Sequence, residues 1–155
     1  MAEDKDRDQI FGYLEKRFGI DKSFFKGYIL LKRKRSWNLL KNDKALVSAC
    51  SLKAGKVGIR AFRKIGAYIK PTTRMIQLFG SYATKAKMSV DITDLIRLQR
   101  GEPLKTDLNL EMGYVILTLG RGNVLGLGFF SDGMIRSQIS RRDLRDSILR
   151  SPVNL

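Results

Sequence analysis

The chain has 155 residues, 43% of them hydrophobic, enough for one domain or two small ones that share an interface. Thirty Lys and Arg stand against fifteen Asp and Glu, a net charge of +15, and there is no histidine. Ser-His-Asp, Cys-His and His-metal chemistry are thereby excluded, and the single cysteine, Cys50, excludes an internal disulfide framework and a cysteine-rich zinc site.

Taken in chain order, Asp6–Phe18 carries Ile10, Phe11, Leu14 and Phe18 at helical spacing. Its acidic start and Lys16 and Arg17 at its end suit the helix dipole, and Gly19 can stop it. Phe24–Leu31 reads as a strand leading into four consecutive bases, Lys32, Arg33, Lys34 and Arg35. Trp37 follows, either as a core anchor or, if exposed beside those bases, as a stacking site. Leu46–Leu52 and Lys56–Ile65 flank Ala54–Gly55 and read as a β-hairpin. Val57, Ile59 and Ala61 would lie on one face of its second arm, and Gly58, Arg60 and Phe62 on the other. Cys50, within LVSACSL, reads as a small buried apolar residue.

Tyr68–Lys70 is extended before Pro71, and Pro71 can open a helix over Pro71–Ala83 with Met75, Ile76, Leu78, Phe79 and Tyr82 as its apolar stripe. Met88–Ile92 is a short strand. Thr93–Arg100 is a short helix with Leu95, Ile96 and Leu98 inward, and Asp91 and Asp94 are its start residues. Residues 102–111 read as a polar connector. Gly113–Ser140 reads as a three-stranded meander: Tyr114–Leu119, a turn at Gly120–Asn123, Val124–Phe130, a turn at Ser131–Gly133, and Met134–Ile139. Gly126 and Gly128 fall on one strand face, where another backbone, from this protein or a ligand, can come close. A helix over Arg141–Arg150 packs back through Leu144, Ile148 and Leu149, and 151–155 is a tail.

The charge is unevenly spread. Residues 1–10 hold two bases against four acids, whereas Lys22–Lys70 holds fourteen bases against one acid, Asp43. Ion-pair networks on thermophile surfaces balance bases with acids. Here the balancing acids are missing, so a polyanionic partner, a nucleic acid, is expected. No apolar run reaches the roughly 18 residues of a membrane span. The charged start, Met1–Asp8, argues against a secretory leader, and a cytoplasmic, reducing setting is expected.

GRGNVLG at Gly120–Gly126 imitates a nucleotide-binding glycine loop. That fingerprint needs a third glycine where Leu125 stands, and a helix where a strand follows. It reads as a hairpin turn, and no cofactor is expected. No carboxylate pair, nucleophile or metal cluster stands out, so the chain reads as a binding protein, not an enzyme.

KPTTRMIQLFGSYATKAKM, LQRGEPL and GYVILTLGRGNVLGLGFFSDGMIRSQISRRDLR together resemble a PUA-type RNA-binding domain. The likeness is strongest to the C-terminal PUA-like domain of Sun-type rRNA 5-methylcytosine methyltransferases. It rests on Pro71, Leu98–Glu102, Gly113–Tyr114, Leu125–Gly128 and Arg136–Arg145. Two positions depart from that pattern. Phe129–Phe130 stand where a lysine is expected, and Ser140 stands in place of a proline, leaving Arg136, Arg141 and Arg142 as substitutes for the lysine. The whole layout is similar to ribosome-biogenesis factors built from a pre-PUA αβ domain and a PUA domain. The resemblance implies an α+β fold: a pre-PUA-like αβ unit at residues 1–67 packed on a PUA-like β pseudo-barrel with short helices at residues 68–150.

It also implies non-catalytic binding of structured RNA, rRNA or tRNA, in ribosome biogenesis or RNA modification. Shape, phosphates and 2′-hydroxyls would carry such recognition. The expected contacts are Lys32, Arg33, Lys34, Arg35, Arg60 and Arg63 in the first unit, and Lys70, Arg74, Lys85, Lys87, Arg136, Arg141 and Arg142 in the second. The competing expectation is a protein-interaction adaptor in a ribosome-assembly or RNA-modification complex, touching its partner through Phe129–Phe130.

Overall fold

The computed structural model describes residues 1–45, 48 and 57–150. Helix α1 (Asp4–Phe18) buries all four residues of the expected stripe, Ile10, Phe11, Leu14 and Phe18. Gly19 ends it in the left-handed region at φ 65°, where an N–H can turn back onto the last carbonyls without a Cβ clash. The Asp21 carboxylate then accepts the Ser23 N–H at 2.8 Å. That Asx turn curls Lys22–Phe25 into a 3-10 turn where a strand was expected. Phe25 is thereby delivered inward, stacked on Phe11 with ring centroids 4.4 Å apart.

The first sheet is an antiparallel meander of β1 (Tyr28–Lys32), β2 (Ser36–Lys41), β3 (Ile59–Ile65) and β4 (Tyr68–Pro71) in that order. The expected hairpin between Leu46–Leu52 and Lys56–Ile65 is not the pairing found: β3 lies between β2 and β4. Ser48 is helical; the rest of Leu46–Leu52, with Cys50 and Ala54–Gly55, lies outside the described residues. The expected two-face alternation of β3 also fails. Its register jumps from Trp37–Phe62 to Asn38–Arg60, so Ala61 is the extra residue of a bulge, and Ala61 and Phe62 are both buried.

Strand β4 belongs to this first sheet, so the sheet runs past residue 67 to Pro71. Pro71 closes β4 opposite Phe62 and does not open a helix. Thr72 does that: its hydroxyl accepts the Met75 N–H at 3.2 Å and donates to the Arg60 carbonyl at 2.7 Å. Helix α2 (Thr73–Phe79) is shorter than the expected Pro71–Ala83 and gives way to a 3-10 turn at Gly80–Tyr82. Met75 and Ile76 are buried, while Leu78 and Tyr82 face solvent.

The second sheet joins β5 (Lys87–Val90), β7 (Gly113–Leu119), β8 (Asn123–Ser131), β9 (Met134–Ser137) and β6 (Leu104–Lys105) in that order. Strand β5 runs parallel to β7, and β7, β8 and β9 form the expected antiparallel meander. The β8–β9 turn has Asp132 at φ 53° and Gly133 at φ 73°, the two left-handed residues of a tight hairpin. Between β5 and β7 lies α3 (Ile92–Gln99), opened by a reciprocal capping box. Asp91 accepts the Asp94 N–H at 2.8 Å, and Asp94 accepts the Asp91 N–H at 3.2 Å. The expected connector at 102–111 contains β6 (Leu104–Lys105), two residues paired with β9 and too short to show a pattern in sequence. Helix α4 (Arg141–Arg150) packs through Leu144 and Ile148. Leu149 is exposed, because one further residue turns it about 100° off that face.

Two apolar clusters hold the fold. One joins α1 and the first sheet to α2, β7 and β8, through Phe11, Phe18, Phe62, Met75, Ile116 and Leu127 among others. The second lies wholly within the later part of the chain, around Leu95, Leu117, Ile135 and Leu144. Among the described residues the architecture is therefore α+β, two sheets sharing one of their cores. The glycine face of β8 is closed by this protein's own side chains. A Cβ at Gly126 would stand 2.8 Å from Ile139, and one at Gly128 would stand 2.6 Å from Ile135.

Candidate nucleic-acid interface

Two cross-strand rows place the cationic side chains. In the first sheet, Arg63 pairs with Ser36 on one side and with Lys70 on the other. In the second, Tyr114 pairs with Phe129, and Phe129 with Arg136. Side chains in register across a sheet share a face, so each row is one strip of surface. Lys70 connects the two strips. Its ammonium donates to Gln138 Oε1 at 2.9 Å and lies 5.4 Å from the centre of the Tyr114 ring. Burial, and then the Arg63 charge beside it, hold the Lys70 pKa below the usual lysine value. The Tyr114 ring meets Phe129 edge-on at 5.3 Å.

On the other face of the first sheet, at the turn end of β3, Lys34, Arg35, Lys64 and Gly66 line a recess of about 350 Å³. The Lys64 N–H donates to the Arg35 carbonyl at 2.9 Å, which fixes the β1–β2 turn against the β3–β4 turn. Arg33, Lys34 and Arg35 are exposed. Lys32 is not available in the same way, because its ammonium is 2.8 Å from the Asp6 carboxylate. That contact lowers the Asp6 pKa and raises that of Lys32. Trp37 is 5% exposed, with its indole N–H donating to Asp6 at 3.4 Å. It anchors the core, and the exposed stacking role falls away.

Of the other expected contacts, Arg60 and Arg74 are exposed at the start of β3 and the start of α2, and the Thr72 hydroxyl ties the Arg60 carbonyl to the head of α2. Lys87 is half-buried at the start of β5. Arg141 and Arg142 are exposed at the start of α4, where Arg141 passes beside Gly101. Phe130 is buried, so the Phe129–Phe130 edge expected for a protein partner is reduced to Phe129 alone.

Lys85 opens a feature that the sequence reading missed, a groove of about 930 Å³ between α1, the β3–β4 turn and the segment before β7. Gln9, Tyr13, Lys16 and Arg17 of α1 form one wall, at the spacing i, i+4, i+7, i+8 of a second helix face. That spacing was the available signal. Lys16 and Arg17 also suit the helix dipole, which accounts for them in sequence without a second face. Arg17 fixes the opposite wall: its Nε donates to the Tyr114 carbonyl at 2.8 Å and its Nη1 to the Glu111 carbonyl at 2.9 Å. Its Nη2 is buried without a hydrogen-bond partner among the described residues. Burial pushes the Tyr13 phenol up to about 12 and raises that of Tyr114.

Among the described residues no group of three Asp, Glu or Cys side chains is placed to hold a metal, and no helix is long and apolar enough to cross a membrane. Compared with known proteins, the chain matches no family model and no curated protein.

Proposed function

We propose that the protein binds structured RNA, rRNA or tRNA, without catalysis, and that it serves ribosome assembly or RNA modification. The observation that carries this reading is the Lys70 bridge between a cationic row of the first sheet and the Tyr114–Phe129–Arg136 row of the second. Arg63 and Lys70 stand in one row of the first sheet, and Lys70 reaches Gln138 and Tyr114 of the second, whose own row ends on Arg136; the Lys34–Arg35–Lys64 recess is a second cationic cluster on the other face. An array of this kind on a chain of net charge +15 suits phosphate backbones held by shape. The PUA-type reading rests on the sequence resemblance alone, beside an architecture that is α+β with two sheets.

The test is fluorescence anisotropy with labelled tRNA and rRNA fragments over a salt series. With about six phosphate contacts, log K should fall with log salt at a slope of about −4 to −5. Charge reversal at Arg63 and Arg35 should weaken binding and flatten the slope. Absence of binding to either RNA at low salt would sink the proposal.

A second reading, a protein-interaction adaptor, is favoured by one observation. Phe24 and Tyr82 stack at 4.5 Å while 46% and 48% exposed, and Leu78 of α2, four residues before Tyr82, is also exposed. An apolar patch of this kind marks contact surfaces. Substituting Phe24 and Leu78 with Ser should leave RNA affinity unchanged if the patch serves only a protein partner.

A further inference from the structure

We infer that the groove between α1 and the segment before β7 seats an unpaired nucleotide of the bound RNA, its base among tyrosines and its phosphate on Lys16 and Lys85. The inference rests on the RNA-binding reading and adds to it a site with a distinct ligand.

Four aromatic rings line the groove: Tyr13, Tyr68, Tyr114 and Phe129. Its charged lining is Lys16, Arg17 and Lys85 against the single acid Glu111, and Lys70 stands over the Tyr114 ring at its border. An apolar peptide or a neutral metabolite gains nothing from three cations. An anionic ligand with a flat π-system uses both parts of the lining, since bases stack on aromatic side chains and phosphates pair with Lys and Arg.

Size narrows the ligand further. Sites for single small ligands run from about 300 to 1,000 Å³, so a volume of about 930 Å³ takes a nucleotide or two. A paired base is held in its helix, so only an extruded or terminal nucleotide can place its ring there. The entrance is open, with Tyr68 75% exposed and Met112 70% exposed on the lining. The Tyr114–Phe129–Arg136 row runs out of the groove onto the cationic surface, so an RNA held there can continue into it.

The test compares the full chain binding a blunt RNA hairpin with the same hairpin carrying a short unpaired 3′ extension that contains 4-thiouridine. The extension should tighten binding by about tenfold, the effect of one base–aromatic stack. Tyr68→Ala should remove that gain, and photo-crosslinks should map to Tyr68, Tyr114 or Met112. Met112→Glu, which sets a carboxylate at the entrance against the nucleotide's phosphate, should also remove it. Equal affinity for the two hairpins overturns the inference while leaving the general RNA reading intact, and is the result expected if a peptide occupies the groove. A gain that survives both substitutions, or crosslinks confined to other surfaces, overturns it as well. No binding of either hairpin defeats both proposals.

Discussion

A Cβ at Gly128 would lie 2.6 Å from Ile135 Cγ2 and 3.3 Å from Leu117 Cδ1, closer than buried atoms tolerate. Gly128→Ala therefore has to displace Ile135, a fully buried residue of the second cluster. The expected cost is about 1–3 kcal/mol, read as a lowered urea midpoint with an unchanged m-value. Spacing alone reveals that Gly126 and Gly128 share a crowded face. It does not reveal what does the crowding, because Ile135 and Ile139 reach that face from beyond the next turn. Lys70 carries the same lesson. Its charge is visible in the sequence, but its role as a bridge depends on Gln138 and Tyr114, residues far along the chain.

Elements defined by local bonds were legible, and elements defined by distant partners were not. The start of α3 was readable because Asp91 and Asp94 bond each other across a single turn. Asp91→Ala should cost about 1 kcal/mol, seen as a lower melting temperature, and Asp91→Asn should restore most of it. Strand β3 is legible as a strand but its partners are not, since nothing in KVGIRAFRKI specifies whether it pairs with the segment before it, with β2 or with β4. Strand β6 has two residues and no periodicity to read. The groove lies on the second face of α1, whose polar and aromatic residues resemble any solvated helix face until the segment before β7 is set against them.

At the scale of the whole molecule, the first cluster ignores the division suggested by sequence. Phe11 and Phe62 pack in one core with Ile116 of β7 and Leu127 of β8. The chain has a single tryptophan, Trp37, buried in that core from the first sheet. Its fluorescence should therefore report damage made in the second sheet. Ile116→Ala should lower the Trp37 unfolding midpoint by the equivalent of about 2–5 kcal/mol, and the far-UV circular dichroism midpoint should move with it. Two separable transitions, with Trp37 insensitive to the substitution, would show that the sheets fold independently.

Arg17 reaches the Tyr114 carbonyl across 97 positions of sequence, and the core that α1 shares is completed by residues nearly as distant. During translation, α1 and the first sheet emerge with Met75, Ile116 and Leu127 not yet synthesised. A nascent chain in that state has the first sheet on α1 but lacks the residues of α2, β7 and β8 that complete their shared core, and chains stalled before β8 has cleared the ribosome are the ones most exposed to aggregation and proteolysis.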